Sequence, residues 1–362
     1  MSRPTQITID IAALHHNCQR IRELAPGRAL MAMVKANAYG HGLERIALAL
    51  SEVDALGVAS FEEALHLRQA GVMHPIVLME GLFYPDELPD VVDNDFVLVV
   101  HHLKHLEMLE QCKLEKPLSV WVKINTGMNR LGFEPKDFKS IYSRLLACES
   151  IRKPLGWMTH FAEADTVNGE ATLKQIELFN NITRDCTGPK SLANSAGILA
   201  WPTAHADWVR PGIMLYGASP FENKTGLDHG LQPVMTLHSQ LIAIQHVSKG
   251  ARIGYGGTWT APEDRRIGVV GVGYGDGYPQ YAVNGTPILV NGQQCPLVGR
   301  VSMDMLTVDL SEQPAAKIGD PVVLWGKGLP VEMIAKYTQT SAYEILTRMT
   351  QRPRIRVKAS LK

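Results

Sequence analysis

The stretch "MAMVKANAYGHG" (residues 31–42) sets a lysine, Lys35, at the end of an apolar run, with Tyr39, His41 and two glycines close behind. Such a lysine has two readings. It is a solvated cation whose stem lies along a strand edge, or an amine held at a pocket mouth, poorly hydrated and therefore nucleophilic. Four further stretches set polar groups at the ends of apolar runs. Lys123 precedes "NTGMNRLG", which carries Arg130; His160 ends "LGWMTH"; Asn194 and Ser195 end "SLANS"; Arg210 stands before Pro211, Gly212 and Ile213. One histidine without clustered carboxylates makes a poor metal cage, and no GxSxG elbow is present. An amine beside an anion site suits the set better. Ser195, the N–H groups near Gly212 and Ile213, and a tyrosine hydroxyl could hold a phosphate. Lys35 could then form an imine with a carbonyl cofactor, or attack a carbonyl substrate directly.

These groups converge only if the elements beneath them form a particular array. The apolar runs are 29–35, 55–60, 75–79, 96–100, 119–124, 155–160, 191–195 and 206–210, with helical stretches between most of them. Continuous apolar strands separated by helices imply a parallel sheet covered on both faces. Eight of them favour a closed (β/α)8 barrel, whose chemistry lies at the C-terminal ends of its strands. In "SFEEALHLRQAG", Ser60 and Glu63 read as a capping box and Gly71 as a helix stop. After residue 230 the texture changes. "MTLHSQLIAIQHV", "RRIGVVGVGYGDGYP", "TPILVNGQQCPLVG" and "MLTVDL" are β-rich and separated by Gly, Pro and Asn turns. The expected organisation is a barrel over 1–230 and a mainly β domain over 231–362, with a helical pair near 331–349 and a last strand "RIRVK".

Composition narrows the partners. With 36 basic and 36 acidic residues in 362, no net charge draws the chain to nucleic acid or to an anionic membrane. No apolar run approaches a membrane span, and "MSRPTQITID" has no apolar core of a signal peptide. The five cysteines are scattered without CxxC spacing, which fits a reduced, cytoplasmic protein. His101, His102 and His105 carry helical spacing and read as a solvated helix face.

Here a resemblance becomes specific. "VKANAYGHG" is similar to the cofactor-lysine signature of the alanine racemases, the fold-type III enzymes dependent on pyridoxal 5'-phosphate. "INTGMNRLGF", "THFAEAD", "ANSAGIL", "VRPGIMLYG", "GYGGTW", "GYGDGYP" and "GRVSMDML" follow in family order. The resemblance implies racemisation of L-alanine and D-alanine by two bases. Lys35 would carry the cofactor and act on one face of the substrate's Cα; Tyr255, from the other subunit of a homodimer with shared active sites, would act on the opposite face. Tyr39, Ser195, Gly212, Ile213 and Tyr343 would hold the phosphate, with Asn194 beside them. Arg130 would lie near the cofactor's phenolic oxygen and the substrate carboxylate, steadied by a carbamylated Lys123. Arg210 would face the pyridine nitrogen with His160 behind it. A guanidinium donates but hardly gives up its proton, so that nitrogen would stay neutral, favouring reprotonation at Cα over transamination. Met303 would contact substrate, with Tyr274, Ser302 and Asp304 at an entrance contributed by the second subunit.

Three positions depart from the family pattern. Asn125 stands where many members have aspartate, which alters charge near Arg130 and Lys123. Ser302 replaces a common cysteine, and Gln280 an arginine near the entrance. The Asn125 form and "NRLGF" look most like catabolic alanine racemases of Gram-negative bacteria. Rival readings are a racemase of wider specificity acting on serine, a Schiff-base aldolase, a fold-type III decarboxylase, and a non-catalytic cofactor-binding protein. No HxGSG-like loop supports the decarboxylase, and a non-catalytic protein would need neither Tyr255 nor the second domain.

Overall fold

A computed structural model describes residues 3–359. The eight expected barrel strands are all present. The first strand of the chain, β1 (Gln6–Asp10), lies outside the barrel, which is built from β2 (Ala29–Met33), β3 (Ala55–Val58), β4 (Ile76–Leu78), β5 (Val97–Val100), β6 (Val120–Lys123), β7 (Gly156–Met158), β8 (Lys190–Ser191) and β9 (Trp208–Val209). All neighbours pair in parallel, and β9 returns to β2 to close the cylinder. Buried apolar residues fill most of these strands, which therefore read as hydrophobic runs; β8, Lys190–Ser191, is the polar exception. Register also matches small residues with large ones. Gly57 pairs with Met33 and Gly156 with Trp121, and a Cβ on either glycine would enter its neighbour's side chain. Trp121 in turn meets the edge of Trp208 with ring centroids 5.9 Å apart. The barrel interior is thus a packed core, and only its rim is left for chemistry.

The β-rich unit is formed by residues up to Cys18 together with those from Tyr216 onward. Its backbone is the long β10 (Met235–Val247). The short pair β11 (Arg252–Ile253) and β12 (Trp259–Thr260) stands apart as a hairpin. The main sheet adds β13 (Arg265–Val270), β14 (Pro287–Val290), β15 (Gln293–Pro296), β16 (Leu306–Asp309), β17 (Pro321–Trp325) and β18 (Arg354–Lys358). Helices Val331–Thr338 and Ala342–Thr347 fall where a helical pair is expected. The division near residue 230 needs correction at the N-terminus. β1 pairs antiparallel with β10 and parallel with β18, so the opening residues belong to this sheet. The alternating burial of "QITID" suits a strand of an open sheet with one face on a core. Nothing in its local pattern says which sheet, since its partners lie more than two hundred residues away.

The histidine face also differs from expectation. His105 is buried and its ring meets the edge of His101 at 4.5 Å, while His102 caps the helix Leu103–Gln111 by accepting from Lys104 N–H. Burial pushes the His105 imidazole down to about 4. It is therefore a neutral core residue rather than a solvated one.

Candidate active site

Lys35 lies two residues beyond the end of β2, and the backbone after it is unusual. Ala36, Asn37, Ala38 and Tyr39 all have φ between 51° and 54°, one left-handed turn made without glycine. For L-residues this conformation costs roughly 1–2 kcal/mol each, so other contacts must hold it. Ala38 N–H donates to Val34 O at 2.7 Å, and Leu43 N–H to Asn37 Oδ1 at 2.8 Å. Val34 N–H is tied to Gly57 O of β3 at 2.9 Å. The turn carries Tyr39 inward, where burial raises its phenol to about 12. It is a neutral hydroxyl throughout the physiological range.

That hydroxyl lies over Gly212. A Cβ on Gly212 would run into Tyr39 Oη, so only glycine lets the hydroxyl sit here. Ser195 Oγ accepts from Gly212 N–H at 2.9 Å and Met214 N–H at 3.4 Å. Tyr39, Ser195 and the 212–214 backbone therefore meet at one place on the rim. Asn194 is adjacent, but its side-chain oxygen accepts from Gly197 N–H at 2.9 Å and caps the helix Ser195–Ala200.

Arg210, just past β9, is buried and anchored from several sides. It donates to Ser191 Oγ at 2.7 Å, to Thr159 O at 2.6 Å and to Leu192 O at 3.2 Å, and its Nη2 stands 3.3 Å from His160 Nδ1. Burial lowers its guanidinium to about 10, which still leaves it charged at neutral pH. His160 is driven well below its ordinary value by burial and by Arg210, Lys123, Arg130 and Lys35. It stays neutral and can accept from Arg210. Lys123, the last residue of β6, is buried and lowered to about 8, first by burial and then by Arg210, Arg130 and Lys35, against a small opposing pull from Glu80. The cations that act on Lys123 also act on His160, and such an environment favours an anionic ligand.

Arg130 is carried on the loop after β6, and here Asn125 has a definite job. Its Oδ1 accepts from Gly127 and Asn129 N–H, and its Nδ2 donates to Asn129 Oδ1 at 3.0 Å and Glu134 Oε1 at 2.7 Å. All four hydrogen-bonding positions of the amide are used within its own loop. The departure from aspartate thus acts on the loop that bears Arg130 and makes no hydrogen bond to Lys123.

In the β-rich unit three quoted stretches come together. Tyr255 is 70% exposed on a turn of three glycines, braced by Arg252, which donates to Gly256 O at 2.7 Å. Gly254 lies against Arg300. Tyr274 N–H donates to Ser302 O at 3.0 Å and Gly275 N–H to Met303 O at 2.9 Å. An ion-pair network unnoticed in the sequence locks the last two stretches. Asp276 pairs with Arg3 at 2.8 Å, and Asp304 with Arg3 at 3.1 Å and Arg352 at 2.5 Å. Tyr343, half-exposed, belongs to this unit on the helix Ala342–Thr347.

The capping box at Ser60 is only half formed. Ser60 Oγ accepts from Glu63 N–H at 3.4 Å, but the Glu63 carboxylate does not return to Ser60. It accepts from Ala36 N–H at 2.7 Å and Ala59 N–H at 2.8 Å. The motif that seemed to be helix punctuation reaches the residue after Lys35.

A barrel rim with an amine and an anion cradle, joined in sequence to a β-rich unit, defines a class of two-domain barrel enzymes. The comparisons with known proteins agree. The family models for the alanine racemase N-terminal and C-terminal domains match residues 9–220 and 234–357. The biosynthetic alanine racemase of Escherichia coli K12 is 51% identical over 347 residues, covering 96% of this chain and 97% of that protein. The crystal structure of biosynthetic alanine racemase from Pseudomonas aeruginosa superposes with a TM-score of 0.95 at 43% identity, over 99% of this chain and 100% of that one. That of alanine racemase from Bartonella henselae, described with covalently bound pyridoxal phosphate, gives 0.90 at 27% identity, over 98% and 99%. The chain belongs to the alanine racemase family and is an enzyme of the racemase class. The likeness to the catabolic subtype finds no support, since the Escherichia coli and Pseudomonas aeruginosa relatives are both biosynthetic.

Proposed function

We propose that the protein interconverts L-alanine and D-alanine with pyridoxal 5'-phosphate attached to Lys35. The observation that carries this reading is the cradle of Tyr39 Oη, Ser195 Oγ and the Gly212 backbone, which a single Cβ would fill, in a chain of this family. Its donor set fits a phosphate, and the surrounding cations fit a ligand with several negative charges. When bound, the cofactor supplies an electron sink that makes the substrate's Cα proton removable. The rest falls to this chain's own groups. Tyr39, Ser195 and the backbone of Gly212 and Ile213 would hold the phosphate. Arg210, braced by Ser191 and Thr159, would offer the ring nitrogen a donor that keeps its own proton, with His160 behind it. Arg130 takes the substrate carboxylate, and Lys35 moves a proton at one face of Cα.

The second base is Tyr255 of a neighbouring copy. Its exposure on a glycine-rich turn supports delivery to another chain, and the braced Tyr274, Met303 and Asp304 would line the partner's entrance. Five free thiols and balanced charge suit the cytoplasm; among the described residues no helix is long and apolar enough to cross a membrane. The purified protein should racemise L-alanine faster than L-serine, and borohydride should fix pyridoxyl phosphate on Lys35 alone. Label on another lysine, or serine as the better substrate, would overturn the reading.

A further inference from the structure

We propose that Glu63 is a positioning residue for Lys35, its carboxylate clamping the peptide that follows the lysine to the end of β3. The inference rests on Lys35 being the amine that moves the proton. Glu63 Oε1 accepts from Ala36 N–H at 2.7 Å while Oε2 accepts from Ala59 N–H at 2.8 Å. Both are hydrogen bonds to a carboxylate, shorter and stronger than neutral ones. On the other side of Lys35, Val34 N–H donates to Gly57 O at 2.9 Å. The lysine's Cα is thereby tied to the same strand from both sides, once through backbone and once through Glu63.

The place of the clamp gives it consequence. Ala36 is the first of the four left-handed residues, so the bond acts where the chain enters its least favoured conformation. Were Glu63 only a helix cap, its carboxylate would return to Ser60 N–H; it passes that group by and joins two other segments. A long side chain delivers its Nζ no better than its Cα is held, and misplacement of about 1 Å can slow proton transfer up to about a hundredfold. Two bases on opposite faces give the defect a signature. Lys35 takes the proton from one enantiomer and returns a proton to Cα when the reaction starts from the other, so a slack lysine slows both directions through the step that it performs.

Two variants separate positioning from folding. Glu63→Gln keeps the shape but presents one oxygen for two N–H groups; Glu63→Ala removes both acceptors. Hydrogen exchange of the full-length protein, before cofactor is added, should quicken at least about fivefold in peptide 31–42 of Glu63→Gln and remain unchanged in peptide 170–182. In the loaded enzyme kcat should fall about tenfold with KM within about twofold. The α-deuterium isotope effect should rise for the alanine enantiomer that Lys35 deprotonates and fall for the other, whose labelled proton leaves in a step that then limits the rate less, and Glu63→Ala should exaggerate each change. Unchanged exchange at 31–42 overturns the clamp, and isotope effects that keep their unsubstituted values or shift alike for both enantiomers overturn its link to Lys35. Failure of the Lys35 reading shows separately, as absence of borohydride label on Lys35 in the unsubstituted protein, and would overturn both.

Discussion

Lys123 shows how one side chain's chemistry follows from its neighbours. Ammonium groups do not react with carbon dioxide; neutral amines do. An ordinary lysine at neutral pH is neutral in roughly one molecule in a few thousand. Burial beside Arg210, Arg130 and Lys35 brings Lys123 to about 8. About a tenth of the molecules then carry a free amine near pH 7, a gain of a few hundredfold. Carbamylation would also turn a repelled cation into an anion among cations. We expect protein equilibrated with ¹³C-bicarbonate to show one carbamate signal, absent in Lys123→Ala. A small carboxylic acid added to that variant should recover part of its activity by filling the space beside Arg130. A spectrum without the signal would leave Lys123 as a buried amine.

At the scale of elements, the rim is shaped by what the loops after the strands leave out. The loop after β9 has no side chain at Gly212, and the turn after β2 brings the Tyr39 hydroxyl into that space. Gly212→Ala should push the hydroxyl aside and weaken cofactor binding by about tenfold or more, as overpacking of a well-filled site does. A spectrophotometric titration of the cofactor-free protein measures this. Tyr39→Phe removes the colliding oxygen along with its proposed contact to the phosphate. In that background the added Cβ should cost much less, a non-additivity that marks direct contact. Additive losses would mean that the two residues act separately.

At the scale of the whole molecule, the proposed arrangement needs two chains. If Tyr255 serves the partner, Lys35→Ala and Tyr255→Phe homodimers should each be nearly inactive. A mixed dimer would then hold one doubly damaged site and one intact site. Random reassortment makes half the dimers mixed, so refolding the two variants together should recover roughly a quarter of the unsubstituted activity. The measurement is L-alanine racemisation after subunit exchange has been verified by mass. No recovery from verified mixed dimers would assign Tyr255 to its own chain.

The eight apolar runs, their order and the polar residues at the ends of five of them were legible because a parallel strand buried on both faces is written as a largely hydrophobic segment. The lysine signature and the helical pair 331–349 were legible for the same kind of local reason. Contacts between distant segments were not. β1 joins β10 and β18 by backbone hydrogen bonds that any strand of similar pattern could make. The left-handed turn at 36–39 uses alanine and tyrosine where local propensity asks for glycine, so only the surrounding bonds hold it. Glu63 stood in a motif that local rules explained fully as a cap, yet the fold carried Ala36 within its reach. The sequence alone determined which side chains stand at strand ends, because burial is written residue by residue. Tertiary structure alone decided which of them share a partner, because a hydrogen bond across the barrel rim leaves no mark on the spacing of either segment.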